Sequence, residues 1–305
     1  MHELEHFYRT HTERREVRAL ARAHPLTTPL EARTQKPRVL SFERKLEALI
    51  EEEHAPFCLL RFPFEALERW REWPELERDA PLALLSNLER VYDPSGALER
   101  VARTLSKLTR ETLREYAQRQ LQAAKAQLTD FEKRLSRPDH RSSEQILALV
   151  RARALLRSHL YPALLAARGL WFESRVGYPE LLRHLALLEA PRAVYPLDDL
   201  YGFPGEAEVR RMIPATRGLG MAHAEREVRA ALEAGYQDGA AMYLRDETAR
   251  RRFEDLAGWT HLAPARRERL SLLLGLERAP LGGAALERVG EVLRAVEAAV
   301  SGIRD

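Results

Sequence analysis

The stretch ALERVARTLSKLTRETLREYAQRQLQAAKAQLTDFEKRLSR, residues 97–137, contains neither glycine nor proline. From Leu98 and Val101 onward its apolar residues recur at intervals of three and four, which is the period of an amphipathic helix. The register of this pattern shifts near Leu113, and Pro138 ends it. The stretch therefore predicts one long amphipathic helix, and such a helix favours a mainly α protein.

Helical spacing continues on both sides of this stretch. Further helices are predicted at Glu3 to Ala23, Ser41 to Glu53, Phe64 to Trp73, Pro81 to Asn87, Ser142 to Tyr161, Pro162 to Arg168, Pro179 to Leu188, Ala222 to Ala234, Gly239 to Ala257, Pro264 to Leu274 and Ala284 to Val300. Strands are predicted only at Phe57 to Phe62 and at Arg90 to Tyr92. The expected fold class is mainly α, with helical domains and a small α/β remnant near the N-terminus.

The chain length and the positions of proline and glycine along the chain indicate the domain organisation. A chain of 305 residues predicts roughly two domains. Residues 191–220 hold several prolines and glycines and are expected to form a loop or connector. The expected parts are therefore N-terminal helices with the α/β remnant (1–96), a helical domain (97–190), the connector (191–220) and a C-terminal helical module (221–305).

Composition excludes several classes of protein. The chain is 45% apolar and 31% charged, which is too apolar for a disordered chain. No apolar run approaches the roughly 20 residues of a membrane-spanning helix, and the first residues do not resemble a secretion signal. A single cysteine, Cys58, excludes a disulfide framework and a cysteine-based metal site. We therefore expect a cytoplasmic protein with no membrane partner.

Charge gives a further hint of function. The formal net charge is +3, and only five of the 49 basic residues are lysine. Acidic residues predominate from Arg44 to Asp79, and basic residues predominate from Arg100 to Arg157. Arginine suits bidentate contacts with phosphate, so the basic segment is consistent with a nucleotide or a nucleic acid as partner. A GC-rich genome, or thermal adaptation through ion pairs, explains the arginine content equally well.

Several motifs between residues 80 and 185 occur together. PLALLSN (81–87) is followed by VYDPSG (91–96), by the long polar helix, by a helical hairpin around 161–167 and by aromatic turns at 171–179. This succession resembles the C-terminal part of bacterial nucleotidyltransferase-like proteins of the DNA polymerase β superfamily. The resemblance implies a sheet that ends in a Tyr-Asp-x-x-Gly turn, followed by a helical domain beside the nucleotide. On this resemblance and the basic helix, the expected nucleotide- or nucleic-acid-binding residues are Tyr92, Asp93, Arg100, Arg103, Lys107 and Arg110.

The chain lacks the motifs on which the chemistry of that family depends. The family requires a Gly-Ser loop for triphosphate and an Asp-x-Asp pair with a third Asp for two Mg²⁺ ions. No glycine precedes Gly96, and Asp79 is the only aspartate before Ala80. The sequence thus predicts a nucleotidyltransferase-like protein with a degenerate active site, acting through nucleotide or nucleic-acid binding. No cofactor is evident, and Mg²⁺ is expected only if the chain is a working nucleotidyltransferase.

Two alternatives of other classes stay open. The first is a helical interaction or scaffold protein that uses the long helix 97–137 to bind a protein partner or a second copy of itself. The second is an RNase, because Arg153 and His159 show the Arg-x5-His spacing that resembles the motif of HEPN-type helical domains. Arg153 and His159 are therefore weak catalytic candidates.

Weaker patterns each have an ordinary structural explanation. His2, Glu3 and His6 have a helical spacing that could bind zinc, although a flexible terminal turn explains it too. Asp198 and Asp199 could hold a cation or act as acid and base, or they could be solvated residues of a helix start. Two arginine clusters could contact phosphates near Trp259 and His261, or could be solvated helical faces; they are residues 250–252 and residues 266, 267 and 269.

Overall fold

The computed structural model describes residues 2–23, 38–54, 57–69, 88–106, 110–136, 142–168, 179, 181–182 and 195–302. They belong to two compact units, the first formed by residues up to Leu113 and the second formed mainly from Arg114 onward. The fold is mainly α with a small mixed sheet near the N-terminus, so the expected fold class is confirmed. No helix in the described part of the chain is both long enough and apolar enough to cross a membrane.

The first unit is built on a five-stranded sheet with the order β3-β4-β2-β1-β5. Neighbouring strands are antiparallel except β2 and β4, which run parallel. The strands are β1 (Val17–Ala23), β2 (Arg38–Glu43), β3 (Ile50–Glu53), β4 (Cys58–Pro63) and β5 (Leu88–Tyr92). The helices of this unit are α1 (His2–Thr12), α2 (Phe64–Arg69) and α3 (Ala97–Ser106).

Two helix predictions in the first unit are wrong. The helix predicted to reach Ala23 ends at Thr12, and β1 follows it. The helix predicted from Ser41 to Glu53 is replaced by the end of β2, a turn and β3. Residues 39–43 of β2 are all buried, so both faces of the strand are covered and the sequence lacks the alternation that identifies a strand with one solvated face.

The predicted strands and the turn after them are confirmed. β4 and β5 cover the two strand predictions, and α2 begins at Phe64 as expected. The Gly96 amide donates to the Asp93 carbonyl at 3.2 Å, which closes the predicted turn. Gly96 has φ +65°, a left-handed conformation that favours glycine. The helix predicted at 81–87 lies outside the described residues.

The second unit is helical. Its helices are α4 (Arg110–Leu135), α5 (Ser142–Leu155), a π-helical turn (Leu156–Leu160), α6 (Tyr161–Ala167), α7 (Tyr195–Tyr201), α8 (Glu206–Arg217), α9 (Ala222–Glu233), α10 (Gln237–Arg251), α11 (Phe253–Ala257), a 3₁₀ turn (Trp259–His261), α12 (Pro264–Leu274) and α13 (Gly283–Ser301). Helices are present where they are predicted after residue 221, but the single helix predicted from Gly239 to Ala257 is divided at Arg252 into α10 and α11. α12 has the predicted bounds. Most of the helix predicted at 179–188 lies outside the described residues.

Two stretches differ from their predictions. The long helix predicted over 97–137 is present as α3 and α4, and residues 107–109 between them lie outside the described part. Self-association through this stretch stays a prediction. The stretch 191–220 was expected to be a loop or connector, but most of its described residues lie in α7 and α8. Pro196 is the second residue of α7, where a helix needs no amide donor, so proline there does not oppose a helix.

Candidate functional site

A polar cluster lies where β2 and β4 run side by side in the first unit. Ser41 on β2 is in register with Arg61 on β4. Arg61 donates to Glu43 through Nε at 3.0 Å and through Nη2 at 2.6 Å, and its Nη1 donates to Oε1 of Glu52 on β3 at 2.7 Å. The Ser41 hydroxyl donates to Oε1 of Glu43 at 2.8 Å. One guanidinium therefore joins carboxylates from two strands.

α1 adds a buried histidine to this cluster. Nε2 of His11 lies 3.1 Å from Oγ of Ser41 and 3.5 Å from Oε1 of Glu43. Because the Ser41 hydroxyl already donates to Glu43, Nε2 of His11 must carry the proton and donate to Ser41. Nδ1 of His11 is buried without a hydrogen-bond partner in the described part of the protein. The hydrogen bonds thus favour the neutral imidazole.

The pKa values of the cluster follow from these contacts. Burial raises the pKa of Glu43, but hydrogen bonds from Arg61 and Ser41 outweigh burial, and the pKa is lowered overall. The Arg61 hydrogen bond lowers the pKa of Glu52, and the two carboxylates raise the pKa of Arg61. Burial, with the charge of Arg14, lowers the pKa of His11. Both acids are therefore ionised and His11 is neutral at pH 7.

This cluster does not fit a magnesium ion. Mg²⁺ needs carboxylate oxygens that are free to coordinate it in an octahedron. Arg61 bonds both oxygens of Glu43 and one oxygen of Glu52, and it supplies the positive charge that a metal would supply. No group of three or more His, Cys, Asp or Glu residues that could hold a metal ion occurs among the described residues.

The structure gives Tyr92 and Asp93, two of the expected binding residues, roles in the fold. Tyr92 is the last residue of β5 and packs against a buried apolar cluster that includes Leu20 and Phe57. The Asp93 carboxylate accepts the Ala97 amide at 2.8 Å and the Glu99 amide at 3.1 Å. Asp93 thereby caps the first turn of α3, where a negative charge is favoured.

The expected basic residues lie on α3 and at its end. Arg100 donates to the Ser95 carbonyl at 2.9 Å. Arg103, whose side chain is 69% exposed, shares Glu99 with Arg90, whose side chain is 52% exposed. Lys107 lies outside the described residues, and Arg110 begins α4 with its side chain outside them. The two described arginines of this set, together with Arg90 and Glu99, form an exposed surface that we call the α3 surface.

The structure does not bring Arg153 and His159 to common partners. Arg153 is buried, and it donates to the Leu200 carbonyl through two nitrogens, at 2.9 and 2.7 Å, and to the Leu274 carbonyl at 2.9 Å. Leu200 and Leu274 lie in the last turns of α7 and α12, so the buried cation compensates the negative ends of two helices. Burial lowers the pKa of Arg153 to about 10.

His159 lies in the π-helical turn between two glutamines. Nδ1 of His159 is 2.7 Å from Oε1 of Gln120, and Nε2 is 2.9 Å from Nε2 of Gln127. Nδ1 therefore donates and Nε2 accepts, which is the arrangement of a neutral imidazole. Burial lowers the pKa of His159. The hydrogen bonds of Arg153 are taken up by helix ends, and those of His159 by glutamines.

The weaker candidates are dispersed. His6 is exposed on α1, and the side chains of His2 and Glu3 lie outside the described part. Asp198 and Asp199 lie in the first turns of α7, where Asp199 is 3.3 Å from Nε of Arg288. In both cases the structure does not assemble a cation site from the described residues.

Sequence reasoning missed the cluster around Glu43 and Arg61. One signal could have found it, because single polar residues interrupt two apolar strand sequences, Ser41 in RVLSFE and Arg61 in CLLRFP. A buried polar residue in a strand needs a partner, and a parallel neighbour in register supplies one. The pairing itself depends on strand order, which the sequence did not reveal.

Comparison with known proteins gives a distant structural likeness. No family model matches the chain, and no curated protein matches it. Among solved structures, the chain is similar to a nucleotidyltransferase-like protein from Exiguobacterium sibiricum 255-15. The TM-score is 0.27 and the sequence identity is 14%, over 97% of this chain and 75% of that chain.

Proposed function

We propose that the protein is nucleotidyltransferase-like with a degenerate active site, and that it binds a nucleotide or a nucleic acid without transferring a nucleotidyl group. The observation that carries this proposal is the Arg61 guanidinium between Glu43 and Glu52. Two-metal transfer needs carboxylates with free oxygens, whereas these carboxylates are neutralised by a side chain of the protein itself. The cluster therefore argues against metal-dependent transfer.

The α3 surface supports a polyanionic ligand. Arg90 and Arg103 both pair with Glu99, so one carboxylate serves two exposed guanidinium groups. Arg100 donates to a backbone carbonyl, which leaves its positive charge without a carboxylate in the described contacts. A surface with this excess of positive charge attracts phosphates and gives binding that weakens with salt.

Titration of the full chain tests this proposal. Fluorescence anisotropy with a labelled oligonucleotide, and calorimetry with ATP, are carried out with Mg²⁺ and with EDTA. We expect binding of at least one of these ligands under both conditions, and no extension of the oligonucleotide in a transfer assay. The double variant R100A/R103A should weaken binding about tenfold or more at 50 mM salt.

The matched control is Arg134→Ala. Arg134 is also about half exposed and forms an (i, i+4) pair with Asp130, but it lies on α4. The Arg134→Ala variant should bind the oligonucleotide and ATP like the unmodified chain. Equal binding by R100A/R103A and the unmodified chain would overturn the assignment to the α3 surface. Transfer activity that requires Mg²⁺ would contradict the degenerate site.

A further inference from the structure

A glycine-containing turn between α8 and α9 lies against two guanidinium groups of the second unit. A Cβ atom added to Gly218 would lie 2.7 Å from Nη1 of Arg269 and 3.1 Å from its Cζ. A Cβ atom added to Gly220, which has φ +67°, would lie 3.3 Å from Nη2 of Arg252. Only glycine lets Arg269 approach Gly218 this closely without displacement. Each of the two glycines of the turn therefore has one guanidinium group close to it.

Neither of these arginines has a carboxylate partner among the described residues. In the described part of the second unit, no hydrogen bond or ion pair joins Arg252 or Arg269 to an acid. Nε of Arg252 is buried and has no hydrogen-bond partner among the described residues. The Arg252 charge is partly removed from water, which is costly without a counter-charge, and an anionic ligand would offset that cost. Arg269 is exposed.

The nearby acids are already shared among other cations. Glu225 accepts from Arg217 at 2.6 and 2.7 Å and from Arg229 at 2.9 Å. These hydrogen bonds lower the pKa of Glu225 to about 2.

Glu247 is shared in the same way. It accepts from Arg250 at 2.8 and 2.9 Å and from Arg251, and Nε2 of His223 lies 2.8 Å from its Oε1. Each of the two carboxylates thus serves at least two arginines, and positive charge exceeds negative charge around the turn.

Charge is also separated along these helices. The segments at the turn end, 217–229, 247–255 and 264–269, contain nine arginines and six acidic residues. The opposite ends of α8 and α9, with the start of α10, are segments 206–211 and 233–238, with two arginines and four acidic residues. A phosphate-bearing ligand would be attracted to the turn end and repelled from the opposite end.

An exposed aromatic ring directly follows one of these arginines in the chain. Phe253 is the residue after Arg252, and it is 46% exposed. Exposed aromatic rings beside arginines are the arrangement on which unpaired bases stack while guanidinium groups contact phosphates. We infer that the turn surface, formed by Arg217, Gly218, Gly220, Arg252, Phe253 and Arg269, binds single-stranded nucleic acid through its phosphates and one stacked base.

This inference rests on the proposed function and adds a second binding surface to it. The experiment uses the full chain and a labelled single-stranded oligonucleotide of about 15 residues, with anisotropy measured at several salt concentrations. The double variant R252Q/R269Q should weaken binding about tenfold or more, and should reduce the slope of log Kd against log salt by about 1 to 1.5. Phe253→Ala should weaken binding about tenfold with the salt slope unchanged.

Two matched variants serve as controls. R210Q/R211Q also removes two positive charges, but from the part of α8 that lies away from the turn, and it should bind the oligonucleotide like the unmodified chain. R252K/R269K keeps both charges and should keep the salt slope. Circular dichroism melting of every variant establishes that the fold is retained.

The outcomes separate the two proposals. If R252Q/R269Q loses binding and R100A/R103A keeps it, the result supports the turn surface against the α3 surface. If R100A/R103A loses binding and R252Q/R269Q keeps it, the turn surface is overturned and the α3 surface is not. Absence of oligonucleotide binding by the unmodified chain overturns the turn surface, and absence of ATP binding as well overturns the proposed function. Tighter binding of a duplex than of the single strand, with no effect of Phe253→Ala, overturns the single-stranded assignment.

Discussion

The Arg61 guanidinium donates to both carboxylate oxygens of Glu43, from a strand that runs parallel to the strand of Glu43. The Glu43 side chain is 6% exposed and the Arg61 side chain is 27% exposed. A buried carboxylate at this position keeps its charge only because the guanidinium and the Ser41 hydroxyl bond it. The pair holds β2 and β4 in register, and it also occupies the oxygens that a metal ion would need.

Arg61→Met should destabilise the protein, because it leaves the Glu43 charge buried without a cation. We expect the free energy of unfolding in urea at pH 7 to fall by about 2 to 3 kcal/mol. The double variant E43Q/R61M removes both charges and should recover part of this loss. Unchanged unfolding of Arg61→Met would show that the pair does not stabilise the unit.

The buried His11 should make stability depend on pH. The folded pKa of His11 lies below 6.5, so the unfolded chain takes up a proton first as the pH falls. Stability should therefore be full above pH 6.5 and decrease as the pH falls below it, by at most about 1.4 kcal/mol per pH unit for this residue. His11→Gln keeps a donor for Ser41 but does not titrate.

Urea unfolding of the unmodified chain and of His11→Gln between pH 7.5 and pH 5 measures this effect. The difference in unfolding free energy between the two proteins should change in favour of the variant as the pH falls. Parallel curves for the two proteins would contradict the neutral, buried state of His11.

The Asp93 cap should contribute to the stability of α3. Asp93→Ala removes the acceptor for two backbone amides and should lower the free energy of unfolding by about 1 kcal/mol. Asp93→Asn keeps one side-chain oxygen as an acceptor, so it should lower the free energy of unfolding by less. Thermal melting of the two variants beside the unmodified chain checks the order, and a larger loss for Asn than for Ala would refute the capping role.

Two glycines with positive φ should respond differently to alanine. Gly275, at the end of α12, has φ +65°, and a Cβ atom there would lie 2.4 Å from Nη2 of the buried Arg245. Gly235 has φ +83°, but a Cβ atom there would meet nothing within 4 Å. Gly235→Ala should cost about 1 kcal/mol of backbone strain.

Gly275→Ala should cost about 3 kcal/mol, because the methyl group also displaces a buried guanidinium that donates to the Gly202 carbonyl. Denaturant unfolding of both variants gives the comparison. Equal losses would show that Arg245 does not depend on the glycine.

The C-terminal helices show which part of the fold can be predicted from the local sequence. α12 begins at Pro264 and ends before Gly275, and both bounds were predicted. Proline is favoured in the first turn and glycine at the left-handed position after the last turn, whatever the rest of the chain does. The turn of 93–96 and strand β4 were predicted for similar local reasons.

The sequence by itself determined the helical character of the second unit outside α7 and α8, the two short strands with their turn, and the absence of the Gly-Ser and Asp-x-Asp motifs in the N-terminal region. Only the tertiary structure decided that residues 17–23 and 38–43 are strands, because their state depends on neighbouring strands that bury them. It also decided that Arg61 neutralises Glu43 and that Arg269 and Arg252 lie close to Gly218 and Gly220 of one turn. Such pairings join residues that are far apart in the chain, so they cannot be predicted from the local periodicity of the sequence.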